Sequence, residues 1–108
     1  KKCLGDGIDF SGSIGILEKV VVLSCEDKGV SIGERSTIRL METQISDCST
    51  GVAIKDESTA YLDDNEIKNC TLTIHGFKEK KYYNFGAIIY LDNKNKYDVL
   101  LDTTSKCF

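Results

Sequence analysis

The 108-residue sequence predicts an all-β fold, a right-handed parallel β-helix (solenoid) of about four coils of roughly 22 residues, with a loop insertion in the last coil. Three observations predict it. Gly7-Ile8-Asp9-Phe10, Gly29-Val30-Ser31-Ile32 and Gly51-Val52-Ala53-Ile54 recur at a step of 22 residues. Each block reads glycine, apolar, small or polar, apolar, the alternation of a short strand with one buried face. The cysteines keep almost the same step, with Cys48 and Cys70 lying 22 apart and Cys25 lying 23 before Cys48.

The elements follow in order. Behind the second and third glycine blocks come Glu34-Arg35-Ser36-Thr37-Ile38 and Asp56-Glu57-Ser58-Thr59-Ala60, whose Ser-Thr pairs match. Ile38-Arg39-Leu40 and Ala60-Tyr61-Leu62 alternate again, and Ile45-Ser46-Asp47-Cys48 matches Ile67-Lys68-Asn69-Cys70. The first copy is looser, because Cys25 falls one position early and Glu26-Asp27-Lys28 restores the register. Each repeat therefore carries about three short strands. One coil cannot bury its apolar face alone, so neighbours must stack, about 4.8 Å apart. The expected interior ladders are Ile8, Val30, Val52 and Leu72; Phe10, Ile32, Ile54 and Ile74; and Cys25, Cys48 and Cys70. A leucine-rich repeat shares the period, but Thr43 stands where its Asn belongs and helix-forming runs between the strands are absent.

After Cys70 the repeat continues as Leu72-Thr73-Ile74, and His75 to Asn84 reads as an insertion rich in charge and aromatics. Gly86 to Leu91 resumes a strand, 92–96 reads as a turn, and Tyr97 to Asp102 as one more strand. Long loops on rigid scaffolds often carry function. We expect one domain, residues 1–108, cut from a longer protein. The chain opens on Lys1-Lys2 without Met, and no amphipathic helix caps the open strand edges. Flanking domains of the parent chain or an end-to-end self-association would cover them.

Composition narrows the function. A formal charge of −3 gives no basic stripe for nucleic acid. No apolar run approaches the roughly 20 residues of a membrane span; the longest is Val20-Val21-Val22-Leu23. No CxxC supports a zinc site. The cysteine ladder reads as small polarisable side chains filling a corner. Cys3 and Cys107 sit towards opposite ends, and stacking disfavours a bond between them.

The runs 5–13, 27–36 and 51–58 are similar to bacterial right-handed β-helix repeats of the pectate-lyase-like superfamily. They resemble most the β-helix segments of spore-coat-H-like, cell-envelope-associated proteins, and Lys80-Lys81-Tyr82 partly matches the insertion of those segments. The resemblance covers residues 5–91. It implies association with polysaccharide or cell envelope, hence an extracellular or envelope location, and says little about activity, since the superfamily holds enzymes and non-catalytic scaffolds alike.

Stacking is expected to align Ser11, Gly33, Lys55 and His75 in one surface ladder and Gly12, Glu34, Asp56 and Gly76 in the next. Carboxylates one coil apart repel, so Lys55, Arg35 or a Ca²⁺ held by Glu34 and Asp56 should compensate them. The candidate ligand-binding groove is Asp9, Glu34, Lys55, Asp56, Lys78, Lys80, Lys81 and Tyr82. A uronate lyase needs a base for the proton α to the carboxylate and a cation to neutralise that carboxylate; Lys55 and His75 are the catalytic candidates. The competing and favoured interpretation is a solvated salt-bridge ladder that pins the register between coils. Tyr61, Tyr82, Tyr83, Tyr90 and Tyr97 offer rings for sugars, and Lys19, Arg39 and Tyr61 an exposed face. The residues favour a non-catalytic scaffold or glycan-contacting module over part of a polysaccharide lyase or related carbohydrate-active enzyme.

Overall fold

The computed structural model describes residues 3–93 and 96–108; Lys1, Lys2 and two positions of the expected 92–96 turn, Lys94 and Asn95, lie outside the described residues. The described chain winds as a solenoid of short strands. The first coil holds β1 (Ile8–Ser11), β2 (Ile14–Glu18) and β3 (Val21–Leu23). The second holds β4 (Lys28–Gly33), β5 (Thr37–Met41) and β6 (Gln44–Ser46), the third β7 (Thr50–Lys55), β8 (Ser58–Asp63) and β9 (Glu66–Lys68). The fourth supplies β10 (Leu72–Phe77) and β11 (Ala87–Leu91), and β12 (Val99–Leu101) and β13 (Lys106–Cys107) lie above them. Three parallel sheets result, in the orders β1-β4-β7-β10-β12, β2-β5-β8-β11-β13 and β3-β6-β9. No helix among the described residues is long and apolar enough to cross a membrane.

Val30, Ile32, Ile38, Leu40, Val52, Ile54, Leu62, Ile74 and Ile89 are fully buried and form the interior, as the alternation predicts. Ile8 pairs with Val30 and Val30 with Val52; Phe10 pairs with Ile32 and Ile32 with Ile54. The expected ladders fail only in the last coil. Leu72 pairs with Thr50, Ile74 with Val52, His75 with Ala53, Gly76 with Ile54 and Phe77 with Lys55. The step of 22 residues holds here too, whereas matching Leu72 to Val52 by residue type shortens the coil by two positions. His75, Gly76 and Phe77 therefore continue strand β10 rather than opening the insertion, which spans only 78–86. Gly76 faces the interior; a Cβ there would lie 2.9 Å from Leu101 Cδ2 and 3.1 Å from both Ala87 Cβ and Ile89 Cδ1. The large ladder residue is thus replaced by a gap that Leu101 and Ile89 fill.

The corners are turned by residues in the left-handed region, where a side chain is normally disfavoured. Lys19, Glu42 and Asp64 close one corner of successive coils at φ of 56°, 48° and 54°. Ser24, Asp47 and Asn69 close a second, and the pairs Glu34-Arg35 and Asp56-Glu57 the third. Buried polar columns link the coils beside these corners. Ser36 Oγ accepts from Ser13 N at 3.1 Å and Ser58 Oγ from Ser36 N at 3.1 Å; Ser105 Oγ accepts from Ala87 N at 2.9 Å. Asn65 Oδ1 accepts from Thr43 N at 3.0 Å, while Tyr97 Oη accepts from Asn65 N at 3.2 Å and donates to Asn65 O at 2.8 Å. Tyr97 is therefore a buried cap on this column rather than a sugar platform or part of a strand.

Candidate functional site

The corner between β4 and β5, and its equivalent between β7 and β8, carries the acids on two successive left-handed residues, Glu34-Arg35 and Asp56-Glu57. The 78–86 segment leaves β10 one coil above and folds down across them. Lys80 Nζ donates to Glu34 Oε2 at 2.8 Å, and Tyr83 Oη donates to the same oxygen at 3.2 Å. Asp56 is wholly buried, and its Oδ1 accepts from the backbone N–H of Glu79 at 2.7 Å and of Lys80 at 3.1 Å. Glu57 accepts from Asn84 N at 2.7 Å and from Arg35 Nε at 3.2 Å, and the Arg35 guanidinium lies 5.3 Å from the Tyr83 ring centre. Lys55 lies across Gly33 and pairs with Glu79. At the other end of the segment, Asp102 Oδ2 accepts from Lys78 N at 2.7 Å.

These contacts set the ionisation of the groups. The hydrogen bond from Lys80 holds the Glu34 carboxyl below its ordinary range, and Glu34 in turn raises Lys80. Lys55 does the same for Glu79. Burial would raise Asp102, but the N–H of Lys78 and the hydroxyls of Thr104 and Ser105 outweigh it and hold its carboxyl low. Tyr83 is pushed up to about 12 by desolvation, with Tyr82 and Glu34 adding to the shift.

The proposed groove is thus split. Glu34, Lys80 and Asp56 are gathered by the loop, and Lys55 joins them through Glu79. The compensation differs from expectation: Glu34 is answered by Lys80 and Asp56 by backbone amides, whereas Arg35 turns to Glu57 and Lys55 to Glu79. Lys78 is anchored through its backbone, and Lys81 and Tyr82 stand exposed at the tip, Tyr82 at 71%. Asp9 is exposed on the lowest coil, beside Ser31 and away from the loop. His75 lies beside Ala53 and not Lys55; its ring stacks on Phe77 at 4.2 Å. Burial lowers its pKa, as does the nearby Lys28, and Asp102 opposes the shift only in part. Gly76, placed with Glu34 and Asp56 by the sequence, is in the interior.

For Ca²⁺ the donors do not fit. Glu34 and Asp56 already serve the loop, and no cluster of three or more His, Cys, Asp or Glu side chains suited to a metal gathers among the described residues. Asp56 Oδ2 is buried with no donor, but one such oxygen falls far short of the roughly 6–8 that Ca²⁺ takes.

The aromatic face also differs from expectation. Arg39 pairs with Tyr61 across the sheet, but Ile16 and not Lys19 stands beneath Arg39, because the first coil is one residue longer and Lys19 turns a corner. The Arg39 guanidinium lies 4.8 Å from the Tyr61 ring centre, Tyr90 stacks on the other face at 4.9 Å, and Phe108 follows at 5.3 Å. Both faces of Tyr61 and of Tyr90 are therefore occupied, and only ring edges meet solvent.

Sequence reasoning missed Glu57, Glu79 and Tyr83 as partners of the corner. Glu57 was findable, since it stands one step of 22 from Arg35 and opposite charges favour such cross-strand pairs. The Tyr83–Glu34 bond spans a sequence separation of 49 residues and has no periodic signal.

Stacked parallel coils with a cross-braced charged corner define the class, a parallel β-helix with one loop folded onto its flank. The family model for the right handed beta helix region matches residues 2–103, and the chain belongs to that family. No curated protein and no solved structure matches the chain in the other two comparisons.

Proposed function

We propose that the chain serves as a non-catalytic β-helix scaffold within a larger cell-envelope-associated protein, touching acidic glycan through its loop tip. One observation carries this reading: the acids and cations that chemistry would need are spent on each other. Glu34, Lys80, Asp56, Lys55 and Glu79 fasten the loop to the coils. What stays outward is Lys81 beside Tyr82, a cation and a ring suited to a uronate carboxylate and its sugar face. The envelope location rests on the likeness of the repeats and of Lys80-Lys81-Tyr82 to spore-coat-H-like segments.

A polysaccharide-lyase reading is favoured by a different observation. Burial and Lys28 keep His75 towards its neutral, basic form on a face that also carries Lys28 and Lys55. Calorimetric titration with polygalacturonate, together with an absorbance assay for unsaturated uronate products, separates the two. We expect weak binding that Lys81→Glu with Tyr82→Ala abolishes, and no product. Product formation that Lys55→Ala or His75→Ala removes would establish the lyase instead.

A further inference from the structure

Cysteines occupy one corner of successive coils. β3, β6 and β9 pair in register as Leu23, Ser46 and Lys68, and two residues later each chain path reaches Cys25, Cys48 and Cys70. The three thiols take the same local pose, each donating to the carbonyl two residues back: Leu23 O at 3.9 Å, Ser46 O at 3.4 Å and Lys68 O at 3.4 Å. Cys3 extends the column downward, since it bridges Cys25 as a parallel backbone partner. The Cys25 thiol interacts with those of Cys3 and Cys48, and the Cys70 thiol with that of Cys48. No disulfide joins them.

We infer that this column is an oxidation site in which Cys3–Cys25 and Cys48–Cys70 disulfides form between adjacent coils. Coils stacked about 4.8 Å apart put paired α-carbons inside the roughly 4.4–6.8 Å window of a disulfide. The column is also reachable. A depression beside the upper end of the column is lined by Cys70, Thr71, Leu72, Thr73 and Asp98. A second, lined by Glu26 and Asp47, opens over the middle, where Cys25 and Cys48 show only 3% and 4% of their surface. These acidic rims favour an uncharged oxidant, and a peroxide is the class we name. Cys3 and Cys70 at the ends of the column are partly exposed, whereas Cys25 and Cys48 are buried. Oxidation therefore starts at the ends. Burial raises the Cys70 thiol, so its proton passes to solvent first; the thiolate then attacks one peroxide oxygen, the O–O bond breaks, and hydroxide leaves while a sulfenic acid forms. The neighbouring buried thiol then attacks that sulfur, the S–O bond breaks, and water leaves with its proton. Each pair of thiols loses two hydrogens and two electrons, and the peroxide becomes two waters. Starting at the ends gives Cys3–Cys25 and Cys48–Cys70, because a Cys25–Cys48 bond would strand both end cysteines. Cys107 lies on β13 in a different sheet and takes no part.

The test is limited peroxide treatment of the folded protein, followed by intact mass and disulfide mapping of its peptides. We expect the loss of four hydrogens and the two named bonds. Cys70→Ala, at a partly exposed position, should fold and lose only two hydrogens, with Cys3–Cys25 remaining; circular dichroism checks that it folds. A mapped Cys25–Cys48 bond, a bond to Cys107, or uptake of oxygen at these cysteines without any disulfide would each overturn the inference. So would retention of every thiol by the folded protein under conditions that oxidise it in denaturant.

Discussion

Glu34 shows how much one side chain does here. It occupies a left-handed backbone position, faces away from the core, and receives both a lysine and a tyrosine from a loop that arrives from another coil. Its carboxyl, with those of Glu79 and Asp102, is held low in the folded chain. The unfolded chain has the ordinary carboxylate values, so it binds protons first as pH falls. The stability these groups contribute is complete above the unfolded carboxylate range and is lost as pH drops through the lowered folded values. His75 acts in the same direction one range higher, since its folded pKa lies below its unfolded one. Chemical denaturation at a series of pH values should therefore show stability declining from near neutrality into acid, with Glu34→Gln flattening the lower limb. Left-handed corners make a second residue-level prediction. Glu42 is exposed at φ 48°, so Glu42→Gly should raise stability by about 0.5–1 kcal/mol in urea unfolding, because only glycine takes that conformation freely.

Elements are joined by buried polar columns as well as by strand pairing. Ser36, just before β5, and Ser58, the first residue of β8, are wholly buried, and each hydroxyl receives the amide of the coil below. Ser58→Ala would leave the Ser36 N–H buried without an acceptor. A loss of about 1–3 kcal/mol is expected, read as a shift in urea midpoint with unchanged slope. Thr59→Ala, one residue along and partly exposed, is the control and should change stability little. The stacked Arg39-Tyr61-Tyr90-Phe108 column braces the outer face of the second sheet in the same sense, and its closed faces explain why rings there are poor sugar platforms.

Across the whole molecule, stability is distributed coil by coil, because each coil buries its apolar face only against its neighbours. The middle coils are therefore the critical ones. Ile54→Ala removes a wholly buried side chain with coils on both sides and should cost about 2–5 kcal/mol. Ile14→Ala, 88% exposed on the first coil, should stay within about 0.5 kcal/mol of the parent. Equal losses at the two sites in denaturant unfolding would contradict the solenoid.

The sequence by itself determined the solenoid, its period and most of its interior, because a step of 22 residues repeats the same alternation and stacked coils turn repetition into contact. Ile32 and Ile54 were legible as ladder partners for that reason, and so was the column of Cys25, Cys48 and Cys70. The resemblance of the repeats to right-handed β-helix segments agreed with the family. Only the tertiary structure decided the last coil and the loop. Gly76 entered the interior where residue type had suggested a surface position, since register follows backbone hydrogen bonds and not likeness of side chains. The loop's partners lie one or two coils away, and no local pattern tells a flexible segment which carboxylates it will meet. Glu34, Asp56 and Lys80 looked like the lining of an open groove, and folding brought opposite charges close enough to satisfy each other.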